Sequence, residues 1–185
     1  MSEKYKITNA EGIYFFTMTV VDWVDVFTRR LYSDIIIDSI KHCQETKGLV
    51  VHAYVIMPSH VHMIASTKNG DDLSAIIRDM KKFTSKKIVQ QIQDEATESR
   101  RDWMLHRFEY AGKYLERIKN FKFWQDGNQP KECMTNEFIW QKLNYIHNNP
   151  VEAGIVFEPW QYVYSSAGDY AGNKGLIDLY LIDFY

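Results

Sequence analysis

The feature that most constrains the fold is a pair of apolar, β-branched runs separated by a single tight turn. Residues 49–57 read LVVHAYVIM, residues 60–66 read HVHMIAS, and Pro58-Ser59 lies between them. Val, Ile and Tyr favour strands, whereas Pro and Ser favour turns. Both runs are too short to span a membrane. The sequence therefore predicts a β-hairpin in the first half of the chain.

Two histidines, His60 and His62, open the second strand of this hairpin. Because successive side chains of a strand point to opposite faces, both imidazoles lie on one face and Val61 lies on the other. Such a pair is either part of a metal site or an ordinary polar pair on a solvent-facing strand, and the pair alone favours the ordinary interpretation. Two imidazoles need a third ligand to hold a divalent ion firmly, and imidazole suits Zn, Mn, Fe or Cu better than Mg.

Apolar periodicity predicts the elements around the hairpin. The predicted strands, in addition to the hairpin, cover residues 12–21 and 121–125, and a short extended piece covers 131–134. The predicted helices cover residues 34–45 with an N-cap at Ser33 or Asp34, residues 71–92, part of 100–118, and 137–148 with an N-cap at Thr135 or Asn136. For the last helix, the spacing predicts a buried stripe of Ile139, Leu143 and Ile146.

The order of these elements is strand, helix, strand, strand, helix, strand, helix. This order indicates an α+β fold of the ferredoxin-like (RRM-like) split βαβ type, with an antiparallel sheet and helices on one face. The length predicts one domain over residues 1–185, with residues 155–185 as a C-terminal extension. The fold by itself implies no function.

Cysteine usage and the N-terminus bear on the compartment. Cys43 and Cys133 are the two cysteines of the chain, and their spacing matches no metal or redox motif. No basic segment precedes an apolar run at the N-terminus, as a secretion signal requires. We therefore expect two free thiols in a protein of the reducing cytoplasm.

Charge is distributed unevenly along the chain. The net charge is −2, but residues 78–122 carry 12 Lys/Arg against 7 Asp/Glu, and residues 123–185 carry 3 against 8. Within the predicted helix at 71–92, five basic residues form a stripe with neighbours: Arg78, Lys81, Lys82, Lys86 and Lys87. Such a patch is either a solvated helix face or a surface for backbone phosphates of nucleic acid.

The segment YIHNNPVEAG at 145–154 carries the other residues with chemical potential. Tyr145 and Asn149 are four residues apart and share a helix face, although Pro150 is expected to push Asn149 away from helical geometry. A tyrosine hydroxyl is a weak nucleophile unless a metal ion or a base lies close, and most of the 12 tyrosines must be packing residues. His147 points elsewhere and is interpreted as structural.

Together these segments resemble the single-tyrosine HUH transposases of insertion sequences, and most closely their REP-associated tyrosine transposase (RAYT) branch. The resemblance rests on four motifs in the family's order and at the family's spacings. They are MPSHVHMI at 57–64, FWQ at 123–125, YIHNNPVEAGIV at 145–156 and YSSAGDYAG at 164–172. Each motif is weak alone, and the four in order cover nearly the whole chain.

The resemblance implies a set of roles. His60 and His62 would be metal ligands for Mg²⁺ or Mn²⁺, Asn149 the third ligand, and Tyr145 the nucleophile that forms a 5′-phosphotyrosine. The substrate would be single-stranded DNA, usually with a hairpin, contacted through the basic residues of the 71–92 helix. The resemblance leaves open whether the active site is assembled within one chain or across a homodimer.

Two departures from the family pattern stand out. Ser59 stands where the family usually has Asn, and Gln129 stands where close relatives often carry His. Two rival functions are a DNA- or RNA-binding module that has lost its chemistry and a metal hydrolase that activates water. The presence of both histidines and the tyrosine argues against the first, and the lack of further ligands at a recognisable spacing argues against the second.

Overall fold

A four-stranded antiparallel sheet forms the centre of the molecule. The computed structural model describes residues 7–115 and 120–183. The strands are β1 (Tyr14–Thr19), β2 (Leu49–Met57), β3 (His60–Thr67) and β4 (Lys131–Glu132), in the order β2-β3-β1-β4. β1 pairs antiparallel with both β3 and β4, and β2 pairs antiparallel with β3. This order confirms the predicted split βαβ fold, and the predicted hairpin is present.

Two helices cover one face of this sheet. They are α1 (Arg30–Thr46) and α2 (Leu73–Asp94), and both contribute to a core cluster with Phe16 and Met63. Asp72 caps α2 by accepting a hydrogen bond from the Ala75 amide at 3.0 Å. The predicted N-cap of α1 is wrong, because the helix begins four residues before Asp34.

A further helix covers the opposite face, so helices lie on both faces of the sheet rather than on one. α4 (Asn136–Glu152) is capped by Thr135, whose hydroxyl accepts a hydrogen bond from the Phe138 amide at 3.2 Å. Its predicted stripe of Ile139, Leu143 and Ile146 packs on sheet residues that include Val55 and Ile64. The sheet is therefore a middle layer, and α4 lies on the face to which His60 and His62 point.

The prediction of a fourth strand at 121–125 is wrong. This segment meets β1 through an isolated bridge between Trp124 and Val20, and the strand at the sheet edge is β4, within the predicted short extended piece. Gly127 and Gln129 have φ values of 74° and 46°, in the left-handed region, and these turns interrupt regular pairing. The basic segment forms α3 (Arg101–Gly112), and residues 116–118 of its predicted range lie outside the described residues.

The residues after α4 add to the exposed edge of β2. The Ile56 amide donates to the Tyr164 carbonyl at 2.9 Å, and the Ser166 amide donates to the Tyr54 carbonyl at 3.0 Å. The short helix α5 (Ala167–Tyr170) follows, and the Tyr180 amide donates to the Val51 carbonyl at 2.9 Å. An open sheet edge exposes unpaired backbone groups, and this segment satisfies several of them.

His147 joins α4 to this segment, and its burial makes stability depend on pH. Its Nε2 lies 2.8 Å from the Ser166 hydroxyl, and burial lowers the pKa of His147 to about 4. In the unfolded chain the pKa is about 6.5, so the unfolded state binds more protons below that pH. We expect this one group to remove about 2 kcal/mol of unfolding free energy between pH 7 and pH 5.

The test is urea denaturation at both pH values, with His147→Gln as the comparison. Glutamine has no titrating group in this range and offers an amide to Ser166, so the variant should lose less stability on acidification than the parent chain. Both proteins keep His52, His60 and His62, so the contributions of these histidines to the pH dependence of stability cancel in the comparison. Equal losses for the two proteins would contradict the prediction.

Both cysteines are buried free thiols, as predicted. Cys43 belongs to the cluster beneath α1 and α2, and Cys133 belongs to the cluster beneath α4, so the sheet separates them. Burial raises the pKa of both thiols, which keeps them protonated at neutral pH. In the described part of the chain, no helix has the length and apolar character needed to cross a membrane.

Candidate active site

The histidine pair lies on an internal strand and faces α4. In β3, His60 is opposite Thr19 and His62 is opposite Thr17 of β1. The two ring centroids are 4.6 Å apart. The prediction that both imidazoles share one face of an inner strand is therefore confirmed.

His62 is the more enclosed of the two histidines. Its Nδ1 lies 2.8 Å from the Thr17 hydroxyl, and its Nε2 lies 3.3 Å from the Tyr145 hydroxyl. The Phe15 ring stacks on the imidazole with centroids 5.5 Å apart. Burial lowers the pKa of His62 to about 3, and His60 and Lys142 act in the same direction. The ring is therefore a neutral imidazole at physiological pH.

His60 is partly open to solvent. Its Nδ1 lies 3.2 Å from the Ser59 hydroxyl, and the Trp23 ring meets it edge-on with centroids 5.5 Å apart. Burial lowers the pKa of His60, and a hydrogen bond with the Asn149 side chain acts in the opposite direction. Asn149 therefore lies beside His60, and its role as a third ligand stays a prediction.

Tyr145 reaches the histidines from α4 of the same chain. Its side chain is 40% exposed, and its ring centroid lies 5.0 Å from that of His62. Pro150 lies inside the last turn of α4, so the expected displacement of Asn149 from helical geometry is wrong. Asn149 remains one turn beyond Tyr145, on the same helix face, because α4 continues through Pro150 to Glu152. The nucleophile candidate and the ligand candidates therefore meet in one cluster.

Lys142 places a positive charge beside this cluster. Its Nζ lies 5.1 Å from the Phe15 ring centroid and 5.6 Å from that of Tyr145. Burial lowers the pKa of Lys142, and nearby Lys131 acts in the same direction. Within residues 7–115 and 120–183, no Asp or Glu forms an ion pair with it. An anion bound near Tyr145 would meet this charge.

The donor set fits a divalent ion. Both imidazoles are neutral, as ligation requires. If His62 Nδ1 donates its hydrogen to the Thr17 hydroxyl, the lone pair of Nε2 is available to a metal ion. In the described part of the chain, no cluster of three His, Cys, Asp or Glu residues could hold a metal ion. Any ligation here therefore depends on the amide oxygen of Asn149 and on groups from outside the chain, such as phosphate oxygens.

The basic residues of α2 lie away from this cluster. α2 packs on the sheet face opposite to His60 and His62. Arg78, Lys82 and Lys86 line a groove between α2 and residues 120–126, whereas Lys87 does not line it. Arg78 also contacts Asp79, with Nε 3.4 Å from Oδ1. The structure therefore separates the candidate DNA-contacting residues from the candidate catalytic residues.

Lys81 lines the same groove, and its ammonium is held by hydrogen bonds within the chain. Its Nζ donates to the Gln125 carbonyl at 2.9 Å, the Gly127 carbonyl at 3.0 Å and the Asn128 side chain at 2.8 Å. Three donors are all that an ammonium has. The Asn128 carbonyl in turn accepts from the Thr17 amide at 3.0 Å. We therefore assign Lys81 to holding this loop against β1.

Four contributors to the site were not found from the sequence: Phe15, Thr17, Trp23 and Lys142. Phe15 and Thr17 become visible only once β1 is known to pair with β3. Lys142 stands one helical turn before Tyr145, and that spacing was the one available signal. For Trp23 the sequence offers no periodicity that indicates its place.

The family comparison defines the class of protein as a transposase. The chain belongs to the IS200-like transposase family, whose model matches residues 11–149. The match spans all the elements that supply the cluster, from β1 to Asn149 of α4. No match is found among curated proteins.

One solved structure shares this fold, and a second is a weaker match. One is a REP-associated tyrosine transposase bound to a REP hairpin, with a TM-score of 0.64 and 21% sequence identity, covering 100% of this chain and 95% of that chain. A putative transposase from Deinococcus radiodurans R1 is more distant, with a TM-score of 0.43 and 13% identity over 80% of this chain and 96% of that chain. The first likeness confirms the predicted fold.

Proposed function

We propose that this transposase cleaves and rejoins single-stranded DNA through a covalent 5′-phosphotyrosine on Tyr145. One observation carries the proposal: the Tyr145 hydroxyl lies 3.3 Å from His62 Nε2, in a cluster that also holds His60 and Asn149. Tyr145 is 40% exposed, so packing does not enclose its ring. Its oxygen is accessible to a phosphate group bound at the histidines.

The reaction follows from these positions. The Tyr145 oxygen attacks phosphorus, the bond from phosphorus to the 3′ oxygen breaks, and a new bond joins the tyrosine to the 5′-phosphate. The tyrosine loses its proton and the released strand gains one as a 3′-hydroxyl, so protons balance. Lys142 offsets the negative charge of the phosphate and of the developing phenolate. The covalent bond keeps the phosphodiester energy, so a 3′-hydroxyl can reverse the reaction.

His60, His62 and Asn149 would hold the divalent ion, Mg²⁺ or Mn²⁺. When bound, the ion acts as a Lewis acid on the phosphate oxygens and as a template for the substrate. Burial keeps both imidazoles neutral, and the Thr17 hydroxyl fixes the orientation of the His62 ring. A hydrolase that activates water would need more ligands than these side chains supply, which favours strand transfer.

We infer that the substrate is single-stranded DNA with a hairpin. The family supports DNA as the substrate, and the solved REP-associated transposase of the same fold is bound to a REP hairpin. The groove lined by Arg78, Lys82 and Lys86 supplies a surface for backbone phosphates. We therefore place this chain in the REP-associated branch, in the cytoplasm with its DNA. Within one copy Tyr145 already approaches His62, which supports an active site assembled within one chain.

Neutralising the groove should weaken binding at every DNA sequence. We expect Lys82→Ala and Lys86→Ala each to lower affinity and to reduce the slope of log K against log salt by about 0.7, the counterion release per phosphate of single-stranded DNA. Lys87→Ala removes the same charge from the same helix outside the groove and serves as the control. Fluorescence anisotropy across a salt series measures the slope. If the salt slopes of Lys82→Ala and Lys86→Ala equal that of Lys87→Ala, the groove is not a surface that contacts DNA phosphates.

The test of the proposed function is a covalent adduct. The wild-type chain is incubated with Mn²⁺ and a single-stranded DNA hairpin that carries a 5′ extension, and the products are separated under denaturing conditions. A protein–DNA species that survives denaturation, mapped to Tyr145 by peptide mass, is the expected result. Tight binding of the same DNA without any adduct would instead favour a binding module that has lost its chemistry.

A further inference from the structure

Trp23 lies at the end of a row of rings that leads away from Tyr145. Ring centroids are 5.0 Å apart between Tyr145 and His62, 4.6 Å between His62 and His60, and 5.5 Å between His60 and Trp23. The Trp23 side chain is 60% exposed, whereas its neighbours Val21 and Val24 are buried in the core. A large aromatic surface thus faces solvent beside the candidate metal ligands.

The backbone at this position is unfavourable for a bulky side chain. Asp22 and Trp23 have φ values of 52° and 55°, in the left-handed region that favours glycine. An exposed indole recovers little of this cost through burial. Unfavourable backbone conformations of this kind cluster at functional sites, where the surrounding structure maintains them.

The surrounding structure fixes this loop against the turn before His60. The Val20 amide donates to the Ser59 carbonyl at 2.9 Å, and the Phe27 amide donates to the Pro58 carbonyl at 2.9 Å. Asp22 also pairs with Arg107 of α3, with 3.7 Å between Oδ2 and the guanidinium. The position of Trp23 relative to His60 is therefore set by contacts on both sides of it.

We propose that Trp23 is a stacking platform for one base of the single-stranded DNA substrate, the base immediately 5′ of the scissile phosphate. This inference rests on the proposed function and deepens it. In an in-line displacement the leaving 3′ oxygen departs on the side opposite to the attacking tyrosine. The nucleotide that carries this oxygen therefore extends from the phosphate toward His60 and Trp23. Indole rings stack on any base, so the platform holds this nucleotide without reading its identity.

The experiment measures binding separately from cleavage. All proteins carry Tyr145→Phe, and labelled hairpins with a 5′ extension are made abasic at one nucleotide at a time around the cleavage position. We expect Trp23→Asn to weaken binding roughly 5- to 150-fold, the contribution of one stacked base. Removing the base 5′ of the scissile phosphate should weaken DNA binding to a similar extent in proteins that keep Trp23. The same change should not weaken the binding of Trp23→Asn any further.

Two further variants separate stacking from packing. Asparagine tolerates the left-handed region, so Trp23→Asn should keep the melting temperature while affinity falls. Trp23→Phe keeps a ring and should recover part of the affinity. Trp103→Ala is the control, because it removes a 47% exposed indole from α3, and it should leave the abasic pattern unchanged.

The outcomes are distinct from those of the covalent test. If Trp23→Asn weakens binding and the abasic change at the 5′ nucleotide has no further effect on that variant, the assignment of Trp23 as a stacking platform is supported. This holds even if no adduct forms on Tyr145. An adduct on Tyr145 together with affinities for Trp23→Asn that match those of Trp103→Ala would overturn the platform and leave the proposed function standing. Coupling to the nucleotide 3′ of the scissile phosphate would also overturn the assignment.

Discussion

The Tyr145→Phe variant is expected to bind DNA as the wild-type chain does and to form no covalent adduct. The change deletes one oxygen and keeps the ring that packs near Phe15 and His62. Without that oxygen no phosphotyrosine can form, and loss of a nucleophile typically costs on the order of 10⁴- to 10⁶-fold in rate. Denaturing gels of the cleavage reaction and anisotropy of a labelled hairpin measure the two properties.

The matched control is Tyr162→Phe, which deletes a hydroxyl that has a structural role. Tyr162 donates a hydrogen bond to the Ile56 carbonyl at 2.8 Å, so its loss should cost about 1 kcal/mol of stability. That variant should melt earlier yet still form the adduct, whereas Tyr145→Phe should show the reverse pattern. Cleavage by Tyr145→Phe, or an adduct mapped to another tyrosine, would refute the assignment of Tyr145 even within the same family.

The split βαβ fold was predictable because its signals are local. The hairpin at 49–67 is defined by β-branched alternation and one Pro-Ser turn, and the stripe on α4 is defined by helical spacing. The pairing of 121–125 was not predictable, because it depends on left-handed turns at Gly127 and Gln129 and on the ammonium of Lys81. The side of the sheet on which α4 packs is a tertiary choice that periodicity does not reveal.

In the candidate site, too, local sequence signals predict some features and tertiary contacts determine the others. Strand alternation places His60 and His62 together, and helical spacing places Tyr145 above Asn149. The resemblance joined these two pairs, but the 3.3 Å approach of Tyr145 to His62 depends on α4 packing across β2 and β3. Thr17 and Phe15 belong to the site only through the register of β1 against β3. The expectation that Pro150 would displace Asn149 failed because α4 continues through buried Pro150 to Glu152, against the local preference of a residue before proline.

The second large effect is expected at His62. His62→Ala should lower cleavage on the order of 10³-fold, since a bound metal ion contributes several kcal/mol of charge stabilisation in such reactions. It should also weaken Mn²⁺ binding measured directly, by calorimetry or by electron paramagnetic resonance, in the absence of DNA. Because burial lowers the pKa of His62 to about 3, protons should not compete for this ligand between pH 5 and pH 8.

Two further substitutions serve as an intermediate case and as a control for this prediction. Thr17→Val removes the hydroxyl at His62 Nδ1 with little change of shape, and loss of such an orienting group typically costs about 10- to 100-fold in metal affinity. His106→Ala removes a histidine of α3, which packs on the other face of the sheet, and should change neither property. If His62→Ala binds Mn²⁺ as tightly as His106→Ala does, the histidine pair is not the metal site. Tyr145 would then need another source of activation, and Lys142, with Nζ 5.6 Å from the Tyr145 ring centroid, would be the candidate.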